Sequence, residues 1–167
     1  MTELAYARVQ SHLERLKLPR MAACLDSIAQ QAVKDSYTYV DFLDHLLEAE
    51  VSARYERDVA MKIKLAHFPF LKTLDAFDFA FQPSINERQV QELANLRFVA
   101  HGENVLLLGP PGVGKTHLAI ALGMAAIAQA ISVYFVSIVD LIEMIHKDAK
   151  EDRLGHRLST LCRPKLL

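Results

Sequence analysis

The 167-residue sequence has no tryptophan and only two cysteines. Cys24 and Cys162 are far apart in the chain and fit no metal-ligand spacing, which excludes a disulfide-rich fold and a cysteine-based metal site. Free cysteine is commonly a small core residue. We therefore interpret both as reduced, structurally buried thiols of a cytoplasmic protein.

The sequence also lacks a charge excess, since 19 basic and 20 acidic residues leave a formal charge of −1. Total charge therefore demands neither nucleic acid nor lipid, and any such interface would be a local patch. The first ten residues, MTELAYARVQ, contain no apolar core of a secretory signal. The most apolar region divides into an alanine-rich helix, the strand-like SVYFV and another helix start. This favours a sheet buried on both faces over a membrane-spanning helix, and we expect no membrane partner.

Two domains are predicted from the change in composition along the chain. Residues 1–67 have helical spacing of apolar residues and indicate an all-α domain. Residues 68–83 are rich in phenylalanine without a clear period, and we interpret them as a linker packed against its neighbours. Residues 84–167 have the strand and helix alternation of an α/β fold.

Helix starts are predicted from three patterns in which Ser or Thr precedes an acidic residue by three positions. They are Thr38 with Asp41, Ser84 with Glu87, and Ser137 with Asp140. The second pattern opens a helix through Arg97, and the third opens one that continues to Gly155. Strands are expected at 105–108 and 132–136, with a helix from Gly114 to about 130 between them.

A glycine-rich motif follows the first expected strand. Gly109, Gly114, Lys115 and Thr116 satisfy G-x-x-x-x-G-K-[ST], the phosphate-binding P-loop. The predicted nucleotide site comprises Gly109, Pro110, Pro111, Gly112, Val113, Gly114, Lys115 and Thr116. The alternative is an ordinary glycine turn before a helix, but the preceding apolar strand and the following helix are the context that a P-loop requires.

Each residue type in the motif suits phosphate binding. Glycines let successive backbone N–H groups point at phosphate oxygens, and the helix N-terminus adds a positive partial charge. Lys115 would bring its charge to the β- and γ-phosphates of ATP, and the Thr116 hydroxyl would bind Mg²⁺. Hydrolysis would also need a carboxylate near the phosphates. Asp140 and Glu143 are weak candidates, and helix capping is the favoured role of Asp140.

The motif GPPGVGKTHLAIALG, with His117 directly after the P-loop threonine, resembles the IstB and DnaC group of AAA+ ATPases. The upstream FDFAFQPSINERQVQELANLRFVAHGENVLLLG narrows the resemblance to IstB-type helper ATPases of insertion sequences. It covers essentially the whole chain and adds His117 to the nucleotide site. It implies an ATP-dependent protein that assembles as a homo-oligomer on double-stranded DNA and assists a transposase.

Family members continue through an Asp-Glu Walker B strand, a sensor, an arginine finger and a lid, none of which is in these 167 residues. We therefore expect a truncated AAA+ core that lacks the residues for hydrolysis. The resemblance also places the P-loop strand beside later strands rather than beside residues 132–136. Two other functions remain open: a DnaC-like loader of the replicative helicase, and a non-catalytic, nucleotide-gated interaction module.

Basic residues recur at spacings of three or four near the C-terminal end of the sequence. Lys147, Lys150, Arg153 and Arg157 could contact DNA phosphates on one helix face. A solvated helix face explains the same pattern about as well. Both interpretations are kept.

Overall fold

The structure, a computed structural model, describes residues 3–167. The first two residues of the segment considered for a secretory signal lie outside the described residues. The described chain divides into two compact units, one that ends at Asp58 and one from Val59 to Leu167. The predicted domain bounds of 1–67, 68–83 and 84–167 stay a prediction.

Helices account for nearly all regular structure within residues 3–167. They are α1 (Glu3–Arg15), α2 (Pro19–Lys34), α3 (Tyr39–Leu65), α4 (Glu87–Ala94), α5 (Arg97–His101), α6 (Lys115–Ala128), α7 (Ile138–Lys150) and α8 (Leu154–Leu161). None of these described helices is long and apolar enough to cross a membrane.

The first unit has a small apolar core. Leu13 of α1, Met21 and Leu25 of α2, and Leu46 of α3 are all buried. Helix α2 begins with Pro19, and its first-turn amides need acceptors because a helix leaves its first N–H groups unpaired. Glu50 of α3 supplies them.

Glu50 is only 3% exposed and joins α3 to the start of α2. Its Oε2 accepts hydrogen bonds from the amides of Arg20 (2.8 Å) and Met21 (3.2 Å). Its Oε1 is paired with Arg54 (3.0 Å) and Arg57 (3.5 Å). A buried carboxylate with four donors keeps its charge, because each of these bonds compensates for lost hydration.

In the second unit, α6 is the central helix and two apolar clusters surround it. Phe77 and Val90 pack with Leu118 near the start of α6. Leu96 and Phe98 pack with Ala126 near its end. The helix is thus covered by the segment before α4, by α4 itself and by the turn into α5. Within the phenylalanine-rich segment, Phe77 and Phe79 belong to the first cluster, whereas Phe70 and Phe81 are 44% and 75% exposed.

The predicted sheet is not confirmed. Within the described residues, strand pairing is limited to an isolated parallel bridge between Val133 and Leu166, extended by a 3.0 Å bond from the Tyr134 amide to the Leu166 carbonyl. Residues 105–108 belong to no sheet there, and Leu106 and Leu108 are 81% and 87% exposed. Exposure alternates as in an extended chain, with Val105 and Leu107 partly buried.

Two of the predicted helix starts are confirmed. The Thr38 hydroxyl accepts from the Asp41 amide while the Thr38 amide donates to the Asp41 carboxylate. Ser137 accepts from the Asp140 amide at 3.1 Å. The Ser84 prediction is wrong, because Asn86 caps α4 by accepting from the Gln89 amide.

Two predicted helix ends are also wrong. The helix expected through Arg97 stops at Ala94, because Leu96 adopts a left-handed conformation with φ of +59° before α5 begins. The helix expected to reach Gly155 stops at Lys150, and Gly155 lies inside α8. Burial of Leu96 in the core favours the first break, a tertiary effect that helical spacing does not register.

The cysteines differ from each other in environment. Cys24 is partly buried on α2, and Cys162 is exposed beyond the end of α8. Both are free thiols, as expected. The prediction of burial is therefore wrong for Cys162.

Candidate nucleotide-binding site

The predicted P-loop forms a tight turn that opens helix α6. Gly112 and Gly114 have φ of +84° and +91°, conformations that side-chain-bearing residues rarely adopt. Gly114 is the N-cap of α6, and within the described residues no side chain caps this helix start. The amides of its first turn are therefore oriented for a ligand, as an anion site requires.

Lys115 lies at the first position of α6 and folds back over the loop. Its Nζ donates to the carbonyl oxygens of Gly109 at 2.9 Å and Pro110 at 2.6 Å. The ammonium group is thereby held over the first half of the loop. A phosphate oxygen could replace either carbonyl as the acceptor, since charge-assisted bonds are the stronger ones.

The other predicted loop residues surround this lysine. Pro110, Pro111 and Gly112 are exposed, and Val113 is partly buried against Gly109. Thr116 is exposed, so its hydroxyl is accessible to a metal ion arriving with a nucleotide. The loop therefore presents a lysine, a hydroxyl and helix amides to solvent, which matches the donor set that ATP with Mg²⁺ needs.

An open groove of about 490 Å³ adjoins the loop. It is lined by α4 and the loop before it, by residues 104–108, and by Gly109, Pro110, Val113, Lys115 and Leu118. The volume is of the size that a small-molecule ligand occupies. The groove thus continues from the lysine along α4.

A support for the loop was missed from the sequence. The Phe77 ring is 8% exposed and packs beneath Gly114, where a Cβ atom would lie 2.5 Å from its Cε2. The His117 ring packs edge-to-face against the Phe77 ring, with ring centroids 5.0 Å apart and an interplanar angle of 79°. The Nε2 of His117 lies 3.0 Å from the Thr73 carbonyl oxygen. Only the abundance of phenylalanine there hinted at this packing.

The candidate catalytic carboxylates lie on α7. Asp140 forms the cap of this helix with Ser137, so its carboxylate already has a local partner. Glu143 is exposed on the next turn. Neither lines the groove beside Lys115. Their catalytic role stays a prediction, whereas the capping role expected for Asp140 is confirmed.

The four basic residues proposed for DNA have different environments. Lys147 and Lys150 are exposed on α7, whereas Arg153 is exposed and paired with Glu151. Arg157 on α8 donates from Nε to the buried carboxylate of Asp148.

The Arg157 pair joins α7 to α8. The hydrogen bond from Arg157 lowers the pKa of Asp148 despite the opposing effect of burial, and the same bond raises the pKa of Arg157. This guanidinium therefore has a structural partner, while Lys147 and Lys150 have charges that face solvent.

Comparison with known proteins gives a family for nearly the whole chain. Residues 11–167 match the family described as "IstB-like ATP binding protein". A protein of insertion sequence IS5376 from Geobacillus stearothermophilus, named for ATP binding, is 41% identical over 160 residues, covering 96% of this chain and 64% of the relative. The corresponding protein of IS21 from Pseudomonas aeruginosa is 43% identical over 155 residues, covering 93% and 58%.

A third relative, from IS232 of Bacillus thuringiensis subsp. berliner, is 37% identical over 163 residues and is also named for ATP binding. The alignment covers 98% of this chain and 65% of the relative. The chain thus spans roughly three fifths of the length of these curated relatives.

Proposed function

This chain belongs to the family of IstB-like ATP binding proteins, and we propose that its P-loop binds ATP together with Mg²⁺. The observation that carries the proposal is the position of Lys115. Its ammonium group lies over a glycine loop at the uncapped start of α6, bonded to two carbonyls that a phosphate can displace. Lysine, loop amides and helix dipole then act on the same phosphates.

Magnesium would enter this site with the nucleotide. Among residues 3–167 no group of three His, Cys, Asp or Glu side chains could hold a metal ion. Mg²⁺ commonly keeps several waters and takes only one or two protein ligands beside the phosphates. The exposed Thr116 hydroxyl suits that role, and bound Mg²⁺ would neutralise phosphate charge.

For the biological role, we propose a helper protein for DNA transposition. Its relatives are named for ATP binding in insertion sequences. In the proposal, the cytoplasmic protein assembles as a homo-oligomer on double-stranded DNA when it binds ATP and then assists a transposase. The exposed Lys147 and Lys150 support a DNA-facing surface on α7, because such side chains can neutralise phosphates.

ATP hydrolysis is part of this proposal for the whole protein. The described site has groups that hold phosphates, but no carboxylate lines the groove beside Lys115 within the described residues. Positioning of water and stabilisation of the transferred phosphoryl group need further residues. Binding and hydrolysis are therefore separable, and binding is the activity to test first.

The test is a fluorescence titration of the chain with mant-ATP and Mg²⁺, comparing wild type with Lys115→Ala. A hydrogen bond to a charged group contributes about 1.5–3 kcal/mol, so affinity should fall at least about tenfold. Lys62→Ala is the matched control, because Lys62 also donates to a backbone carbonyl, that of Ala130 at 3.1 Å. Equal affinity of wild type and Lys115→Ala would refute the site.

A further inference from the structure

The P-loop packs on a segment that ends about thirty residues before it. Residues 73–79 pass beneath the loop, and the Phe77 ring fills the space under Gly114 so closely that a Cβ there would overlap it. Phe77 itself is fixed by a turn, with its amide donating to the Leu74 carbonyl at 3.0 Å, and by the Phe79 ring at 4.8 Å. The loop cannot move toward residues 73–79 without displacing this ring.

His117 connects the same segment to the first turn of α6. A carbonyl oxygen only accepts hydrogen bonds, so the Nε2 of His117, 3.0 Å from the Thr73 carbonyl oxygen, is the nitrogen that carries the hydrogen. The ring also packs edge-on against Phe77. The side chain is thus directed at residues 73–77.

Resting on the ATP binding proposed above, we propose that Phe77 and His117 are positioning residues that hold the P-loop in its phosphate-binding shape, so that residues 73–79 set the affinity for ATP. They act on the nucleotide through Gly114 and the first turn of α6. Phosphate binding needs several backbone amides to point at the phosphate oxygens simultaneously. A small tilt of the loop therefore weakens all of these hydrogen bonds together. Because coupling is reciprocal, bound ATP in turn fixes residues 73–79.

A second phenylalanine packs against a glycine of the same helix and provides a matched control. At Gly123, nine residues further along α6, a Cβ would lie 2.8 Å from Cζ of Phe68. The packing is of the same kind, but it is two and a half turns from the loop. Phe68→Leu should therefore loosen α6 comparably without moving the phosphate site.

The experiment is mant-ATP titration, with Mg²⁺, of wild type, Phe77→Leu and Phe68→Leu. We expect Phe77→Leu to weaken affinity about tenfold, the effect of about 1.4 kcal/mol, and Phe68→Leu to bind as wild type does. Equal losses in the two variants would overturn the proposal, because they would indicate general loosening of α6. Unchanged affinity of Phe77→Leu would overturn it as well.

His117 is tested by rescue, which also covers the case in which the Phe77 variant does not fold. His117→Ala removes the donor to Thr73, whereas His117→Gln keeps an N–H donor on a side chain of similar reach. We expect the alanine variant to lose affinity and the glutamine variant to recover most of it. Wild-type affinity in His117→Ala would contradict the proposed role.

A second measurement needs no nucleotide and separates this inference from the proposed function. Hydrogen exchange of the Leu118 amide, which donates to the Gly114 carbonyl at 2.9 Å in the free chain, should be faster in Phe77→Leu than in wild type, and unchanged in Phe68→Leu. Unaltered exchange in Phe77→Leu would overturn the positioning role. Faster exchange together with a wild type that binds no mant-ATP would refute ATP binding and leave the structural support of the loop in place.

Discussion

Replacing Gly114 by alanine probes the contact between the P-loop and its support. Two costs add at this position. A residue with a side chain in a left-handed conformation costs about 1–2 kcal/mol, and Gly114 has φ of +91°. The new Cβ would also lie 2.5 Å from the Phe77 ring, and overpacking of this kind costs about 1–3 kcal/mol. The free energy of unfolding of this unit should fall by about 2–5 kcal/mol.

Gly112→Ala is the control, because Gly112 has a similar φ of +84° but no atom within 4 Å of the position of its Cβ. Only the conformational cost of about 1–2 kcal/mol applies there. The difference between the two variants therefore measures the clash with Phe77. Adding Phe77→Leu to Gly114→Ala should restore part of the loss, in a double-mutant cycle with a favourable coupling energy.

The assay is native-state hydrogen exchange of α6 peptides at increasing urea, which reports the second unit separately from the first. Stability is compared for Gly114→Ala, Gly112→Ala and the double variant. Equal losses in the two alanine variants, or no recovery with Phe77→Leu, would refute the steric reasoning. Agreement would show that the Phe77 contact constrains the loop.

Three other predictions test the remaining surfaces. Replacing Lys147, Lys150 and Arg153 by alanine should weaken binding to all DNA sequences alike and flatten its salt dependence; an unchanged salt slope would identify a solvated helix face. The 167-residue polypeptide should release phosphate from ATP no faster than its Lys115→Ala variant with Mg²⁺ and DNA present, and turnover that depends on this lysine would show that an α7 carboxylate is catalytic. Burial raises the pKa of the Glu50 carboxyl, but hydrogen bonds from Arg54 and from the amides of Met21 and Arg20 have the larger effect. The pKa is therefore lowered from 4.5. Because the pKa is lower in the folded state, the charged carboxylate adds stability above pH 4.5, and this stability is lost as the pH falls below that value. In urea melts, the difference in free energy of unfolding between wild type and Glu50→Gln should therefore shrink in acid. A constant difference between pH 7 and 3 would contradict this.

The sequence by itself determined features that depend on neighbouring residues. The caps at Thr38 and Ser137 are set by residues three positions away, and the spacing of the P-loop motif predicts a glycine turn that ends at Lys115 on a helix. The structure has both caps and the turn. Family membership is likewise a property of the sequence, confirmed over residues 11–167.

Only the tertiary structure decided the contacts between distant segments. The ring under Gly114 comes from Phe77, and the acceptor for the first amides of α2 comes from Glu50, 30 residues after Arg20. Helical spacing continues through Leu96, but the helix ends at Ala94, and Leu96 is buried in the core with φ of +59°. Pairing of an extended segment likewise depends on which backbone lies beside it. Local propensity fixes backbone angles, whereas these features depend on which surfaces meet after the chain has folded.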